Sequence, residues 1–143
     1  MRFYRFQASA DAVTVTRVRE EFVRWLRRDV DPDEAKLCDV TLAVNEALAN
    51  VAEFAYLDCG GVGTFDMEAV HHPDRAELNV EIRDRGHWRA TDPLLNARNR
   101  GRGIALMRIL ADAVGIDTSS LGTNVCLRFD NVQAPGRMSA SAC

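Results

Sequence analysis

Two short runs, TFDMEAV at residues 64–70 and AELNVEIR at 76–83, alternate apolar and polar side chains almost without a break. The alternation puts Phe65, Met67 and Ala69 on one face of the first run. In the second it puts Ala76, Leu78, Val80 and Ile82 on one face and Glu77, Asn79, Glu81 and Arg83 on the other. A period of two marks a half-buried strand. The linking HHPD is turn-forming, so the two runs predict an antiparallel hairpin with one apolar face. A lone hairpin is marginal in water, and its apolar face has to be covered by a second layer.

Helical patterns elsewhere supply that cover. From about Ala10 to Arg28, Val15, Val18, Phe22 and Trp25 or Leu26 recur at spacings of three and four, which predicts an amphipathic helix. DVDPDE then interrupts the chain, with Asp31 placed as an N-cap, Pro32 at the first helical position and Glu34 three residues past the cap. The helix it opens runs to about Tyr56, with Leu37, Val44, Leu48, Val51 and Ala55 as its apolar stripe. LDCGGVG is a glycine-rich turn before the hairpin. After the hairpin, DRGHWRATDPLLNARNR has no period and reads as a long loop, a kind of segment that is often functional. IALMRILADA predicts a third helix, and FYRF, VGIDT and TNVCLRF are further strand candidates. A chain of 143 residues suits a single domain, here residues 1–130, followed by a small polar tail over 131–143 that is expected to fray.

The composition excludes several classes. A net charge of −3 is not that of a general nucleic-acid binder. Lys36 is the sole lysine, so no GxxxxGK phosphate loop exists. The four cysteines form no CxxC pair and no zinc-ligand spacing, and His71 and His72, beside Pro73, read as a solvated turn. No uninterrupted apolar run approaches membrane-spanning length. A reduced, cytoplasmic protein with no direct nucleic-acid or membrane partner is the simplest account.

Three features carry possible chemistry. Glu46 and Asn50 stand one helical turn apart, nearly opposite the stripe centred on Val44 and Val51. Such a pair is most often a solvated edge; alternatively, Asn50 offers an oxygen to Mg²⁺ and Glu46 accepts a proton from an attacking hydroxyl or water. Asp84 follows the hairpin's second strand and by parity shares the side of Leu78, Val80 and Ile82. Either the strand has ended and DRG is an exposed turn, or the carboxylate meets a buried donor such as a purine amine, with Gly86 leaving room for a flat ring. Gly101, Arg102 and Gly103 stand before a helix, among arginines at 98, 100 and 102. That is either a flexible junction or a phosphate-binding helix start.

The order of these features is more specific than any one of them. LAVNEALANVAEFAY, VEIRDRGHW, GRGIALMRILAD and GTNVCLRF, over roughly residues 3 to 130, resemble the GHKL group of ATP-binding proteins. More narrowly, they resemble the short anti-sigma-factor serine kinases of bacteria. The resemblance implies an α/β (α+β) two-layer sandwich of the Bergerat type, in which a mixed, mostly antiparallel sheet is covered by helices on one face. It implies ATP and Mg²⁺ as cofactors, with Glu46 as catalytic base and Asn50 as magnesium ligand. Asp84 would read the adenine amine, with Gly86 under the ring and Thr123 beside Asp84. Residues 89–100 would form a lid bringing Arg98 and Arg100 to the phosphates, which Gly101 and Gly103 would cradle.

The implied partners are an anti-anti-sigma protein, phosphorylated on serine, and a sigma factor, with a homodimer as the assembly. The chain departs from the family pattern in three places. Phe54 stands where a histidine is usual, Asn99 takes the usual place of the lid arginine, and GTN replaces the commoner GTT. An alternative is therefore a catalytically weak or inactive module that binds nucleotide, or none, and only titrates partners. Arg17 and Arg24 on the first helix are either solvated or part of a partner contact.

Overall fold

The structure, a computed structural model, describes residues 1–53, 63–85, 103–119 and 122–134. Strand β1 (Arg2–Ser9) leads into helix α1 (Ala12–Trp25) and α2 (Glu34–Glu53), followed by the hairpin β2 (Thr64–His72) and β3 (Glu77–Asp84). Helix α3 (residues 103–110) precedes β4 (Ala113–Ser119) and β5 (Gly122–Phe129). The five strands form one sheet in the order β1-β2-β3-β5-β4, and every described pairing is antiparallel. Strand β5 thus inserts between β3 and the edge strand β4, and this arrangement builds the site described below.

The alternation read from the sequence becomes the sheet's two faces. Phe65, Met67, Ala69, Leu78, Val80 and Ile82 are all buried, joined by Val125, Leu127 and Phe129 of β5. Against them pack Val15, Val18, Phe22 and Trp25 of α1 and Val40, Val44, Leu48 and Val51 of α2. Phe3 of β1 closes the layer, its ring edge-on to Phe22 at 5.6 Å and tilted against Trp25 at 6.0 Å. Each such ring removes some 150–250 Å² from water, so this corner contributes heavily to burial. The opposite face of the sheet presents polar side chains such as Glu68, Glu81 and Arg128.

Helix boundaries differ from the sequence expectation in instructive ways. Asp11, not Ala10, opens α1, its carboxylate accepting from the Thr14 N–H at 2.8 Å and the Thr14 hydroxyl at 2.9 Å. The helix ends in a widened turn over Leu26–Val30, closed by the Asp31 N–H donating to the Leu26 carbonyl at 2.7 Å. That turn buries both Leu26 and Val30 and leaves Asp31 left-handed, with φ 51°. Asp31 is therefore the exit of the first helix and not the N-cap of the second. Asp33 caps α2 instead, its carboxylate accepting from the Lys36 N–H at 2.8 Å.

Two further expectations are corrected. The turn of the hairpin lies at residues 73–76, so His71 and His72 belong to β2, and Ala76, with φ 52°, belongs to the turn and not to β3. His71 is 3% exposed and not solvated. Its Nε2–H donates to the Val132 carbonyl at 2.6 Å, while its backbone N–H donates to the Met1 carbonyl at 2.9 Å. Val132 is itself fully buried and donates its N–H to the Ala76 carbonyl at 2.8 Å. Packing therefore continues past residue 131, where the tail had been expected to begin. Residues 54–62, 86–102, 120–121 and 135–143 lie outside the described residues, and with them the C-terminal end of the second helix at Ala55 and Tyr56.

Candidate functional site

Three segments distant in sequence meet at one end of the sheet. The C-terminal half of α2 carries Glu46 and Asn50, the end of β3 carries Asp84, and the start of β5 carries Thr123. Neither Glu46 nor Asn50 is a fully solvated edge residue; both are half-buried. They lie on the flank of α2 next to Ala47 and Val51, which pack into the core. A cleft forms between α2, the sheet and α3, with Asn50, Asp84 and Thr123 as its polar groups. Val51, Ile82, Ile104, Ile116 and Val125 supply an apolar lining. An apolar slot with a few convergent polar groups is the usual form of a small-molecule site, of roughly 300–1,000 Å³, whereas the described residues here enclose only about 10 Å³.

Asp84 resolves the choice left open by its sequence. Strand β3 extends through it, pairing it with Phe65 on one side and Thr123 on the other, and it is only 6% exposed. Its Oδ1 accepts from the Thr123 backbone N–H at 3.2 Å. A buried carboxylate needs such donors to offset its lost hydration. Thr123, 4% exposed, lies directly beside it as expected.

Gly122 was not singled out as a site residue, yet the site depends on it. Its φ is +140°, and a Cβ there would stand 2.0 Å from the Asp84 carbonyl oxygen and 2.9 Å from the Arg85 Cα. Only glycine lets β5 approach the end of β3 so closely. The signal was present as the glycine of GTN, but its meaning depends on a contact 38 residues away in sequence, from residue 122 to 84.

Gly103, the first described residue of α3, faces the α2 pair. A Cβ at this position would lie 3.2 Å from Glu46 Oε2 and 3.7 Å from both side-chain polar atoms of Asn50. A side chain at residue 103 would crowd the Glu46 carboxylate, so glycine there lets α3 approach the α2 pair closely. Asn50, Asp84 and Thr123 thus line one cleft, and Glu46 and Gly103 stand beside its Asn50. Gly86, Arg98, Arg100, Gly101, the expected lid at 89–100 and Phe54 lie outside the described residues. Among the described residues no cluster of three or more His, Cys, Asp or Glu could hold a metal ion, and no helix is long and apolar enough to cross a membrane.

The chain is similar in fold to a crystal structure of the RsbU and RsbW domains of a Mycobacterium tuberculosis protein, with a TM-score of 0.70 and 19% identity. The match covers 91% of this chain and 32% of the solved one, so the chain spans about a third of that protein's length. Residues 8–129 match the family model described as the histidine kinase-like ATPase domain. The match includes Glu46, Asn50, Asp84, Gly103 and Thr123, and the chain belongs to the histidine kinase-like ATPase domain family.

Proposed function

We propose that the chain is an ATP-dependent serine protein kinase and anti-sigma factor. The observation that carries this reading is the meeting of Glu46, Asn50 and Gly103 at one end of a cleft that also holds the buried carboxylate of Asp84. Asp84 accepts a hydrogen bond from the adenine amine, and the apolar lining takes the ring's faces. Asn50 would hold Mg²⁺ through its amide oxygen. The bound ion supplies charge neutralisation on the phosphates. The resemblance assigns the phosphates to Gly101 and Gly103, added positive charge to Arg98 and Arg100, and the space under the ring to Gly86; of these, only Gly103 lies among the described residues. Glu46 accepts the proton of a serine hydroxyl as its oxygen bonds the γ-phosphorus and ADP departs.

The serine belongs to an anti-anti-sigma partner and the sequestered protein is a sigma factor. Support comes from the order of the motifs and from the fold shared with a solved chain that contains an RsbW domain. Arg17 and Arg24 are exposed on α1 and offer a contact to such partners. A homodimer in the cytoplasm completes the reading, with residues 1–130 as the nucleotide-binding unit. Transfer of label from γ-labelled ATP to a serine-bearing partner tests it. Wild-type protein should transfer label, whereas Glu46→Gln should bind ATP and transfer none; native transfer by the variant would remove Glu46 from its role. Phe54, where the family usually has histidine, favours a second reading, a module that binds nucleotide and only titrates partners. ATP binding without transfer by the wild type would support that reading.

A further inference from the structure

Asp84 is the last residue of β3 to pair on both sides, and the described ladder with β2 does not continue to Arg85. The Arg85 side chain instead reaches back across β2. Its Nη1–H donates to Thr64 Oγ1 at 3.0 Å and its Nη2–H to Asp66 Oδ2 at 2.6 Å. The other oxygen of Asp66 accepts from the Gln7 backbone N–H at 2.8 Å. Gln7 sits in the irregular stretch of β1 between Arg5 and Ala8, with φ 53°. On the opposite side, Gly122 leaves just enough room for β5 to press on the Asp84 carbonyl and the Arg85 Cα. The backbone at the strand end is therefore held from both flanks, by a side-chain fork on one and by close main-chain packing on the other.

We propose that Arg85 is a positioning residue for base recognition, holding the end of β3 so that the Asp84 carboxylate points into the cleft. This rests on the reading of Asp84 as the adenine acceptor. The Arg85 and Asp66 side chains are 41% and 16% exposed, and a partly exposed ion pair adds little to overall stability. What it does supply is direction, because a strand end released from one flank swings the side chain it carries. Small displacements at a recognition group cost far more in binding than in folding.

The test uses the full chain, with ATP and GTP affinities measured at saturating Mg²⁺ and melting followed by circular dichroism. Arg85→Ala should weaken ATP binding roughly tenfold, leave the weaker GTP binding unchanged and keep the wild-type melting curve. Asp66→Asn should act in the same direction, the double variant should be no worse than the worse single one, and Arg85→Lys should restore part of the ATP preference. Native ATP affinity in Arg85→Ala, or equal loss of ATP and GTP, would overturn the proposal while leaving the nucleotide site intact. Wild-type protein that binds no ATP would overturn the nucleotide reading and this proposal with it.

Discussion

His71 and Asp84 occupy matching places at opposite ends of the β2–β3 hairpin. His71 is the last inward-facing residue before the turn, paired with Leu78, and Asp84 is the last inward-facing residue at the open end, paired with Phe65. Their exposures are 3% and 6%. Burial alone does not separate them; their surroundings do. The chain itself covers His71, with the Val132 carbonyl on its ring and Met1 bonded to its backbone. Asp84 opens on a cleft beside Asn50, lined by side chains from α2, α3, β3, β4 and β5. A buried polar group that the chain covers with its own backbone holds the fold together, whereas one that faces a cleft is placed to meet a ligand.

Substitutions can break that contrast. The largest effect is expected at Asp84. In Asp84→Asn the side chain can still accept from the Thr123 N–H, but it offers an amide donor toward an adenine amine that also donates. ATP affinity should fall about a hundredfold, the loss of a charge-assisted bond of ~3 kcal/mol, and calorimetry would read it. Gly122→Ala should come next, because its Cβ would meet main-chain atoms that cannot rotate away. A cost of about 2 kcal/mol lowers Tm by roughly 6–8 °C, and ATP binding should weaken with it, since the same clash displaces Asp84.

His71→Ala should lower Tm by roughly 4 °C, because it leaves a cavity and strands the Val132 carbonyl. Its ATP affinity should stay at the wild-type value, and a variant that melts normally but loses ATP would erase the contrast between the two ends. The smallest effect concerns a half-buried carboxylate, Asp11. Hydrogen bonds from the Thr14 N–H and hydroxyl hold its carboxyl below the ordinary 3.8. The folded state therefore binds fewer protons there than the unfolded chain, so the stabilisation is complete above that value and disappears as pH falls through the folded pKa. Asp11→Ala should lower Tm by roughly 2 °C at neutral pH, and melting curves should show the gap to wild type closing below pH 3.8.

The hairpin was legible because alternation is a local property, and each of Phe65, Met67, Leu78, Val80 and Ile82 lies on the buried face its parity indicates. The place of Thr123 beside Asp84 was implied only by the family resemblance, and the β3–β5 register puts it there. His71 was misread because HHPD has the composition of a turn, while the groups that bury it come from residues 1 and 132, at the two ends of the described chain. The cap of α2 moved from Asp31 to Asp33 for a similar reason. Only Asp31 has Pro32 and Glu34 at the expected offsets, but the widened end of α1 needs Asp31 in a left-handed conformation to turn the chain, which leaves Asp33 to cap α2. The glycine of GTN is legible as a motif, but that a side chain at Gly122 would strike the Asp84 carbonyl depends on a contact between distant strands.

Sequence alone determined the periods of the helices and strands, the sidedness of the hairpin and the order of motifs that marks the family, since each depends on neighbours a few positions away. Only the tertiary structure decided which polar residues are covered and which face a cleft, and that Gly103 stands against Glu46 and Asn50. Hydrogen-bond partners and cover for a buried polar group come from chain far removed in sequence, and no local pattern records which segment will supply them.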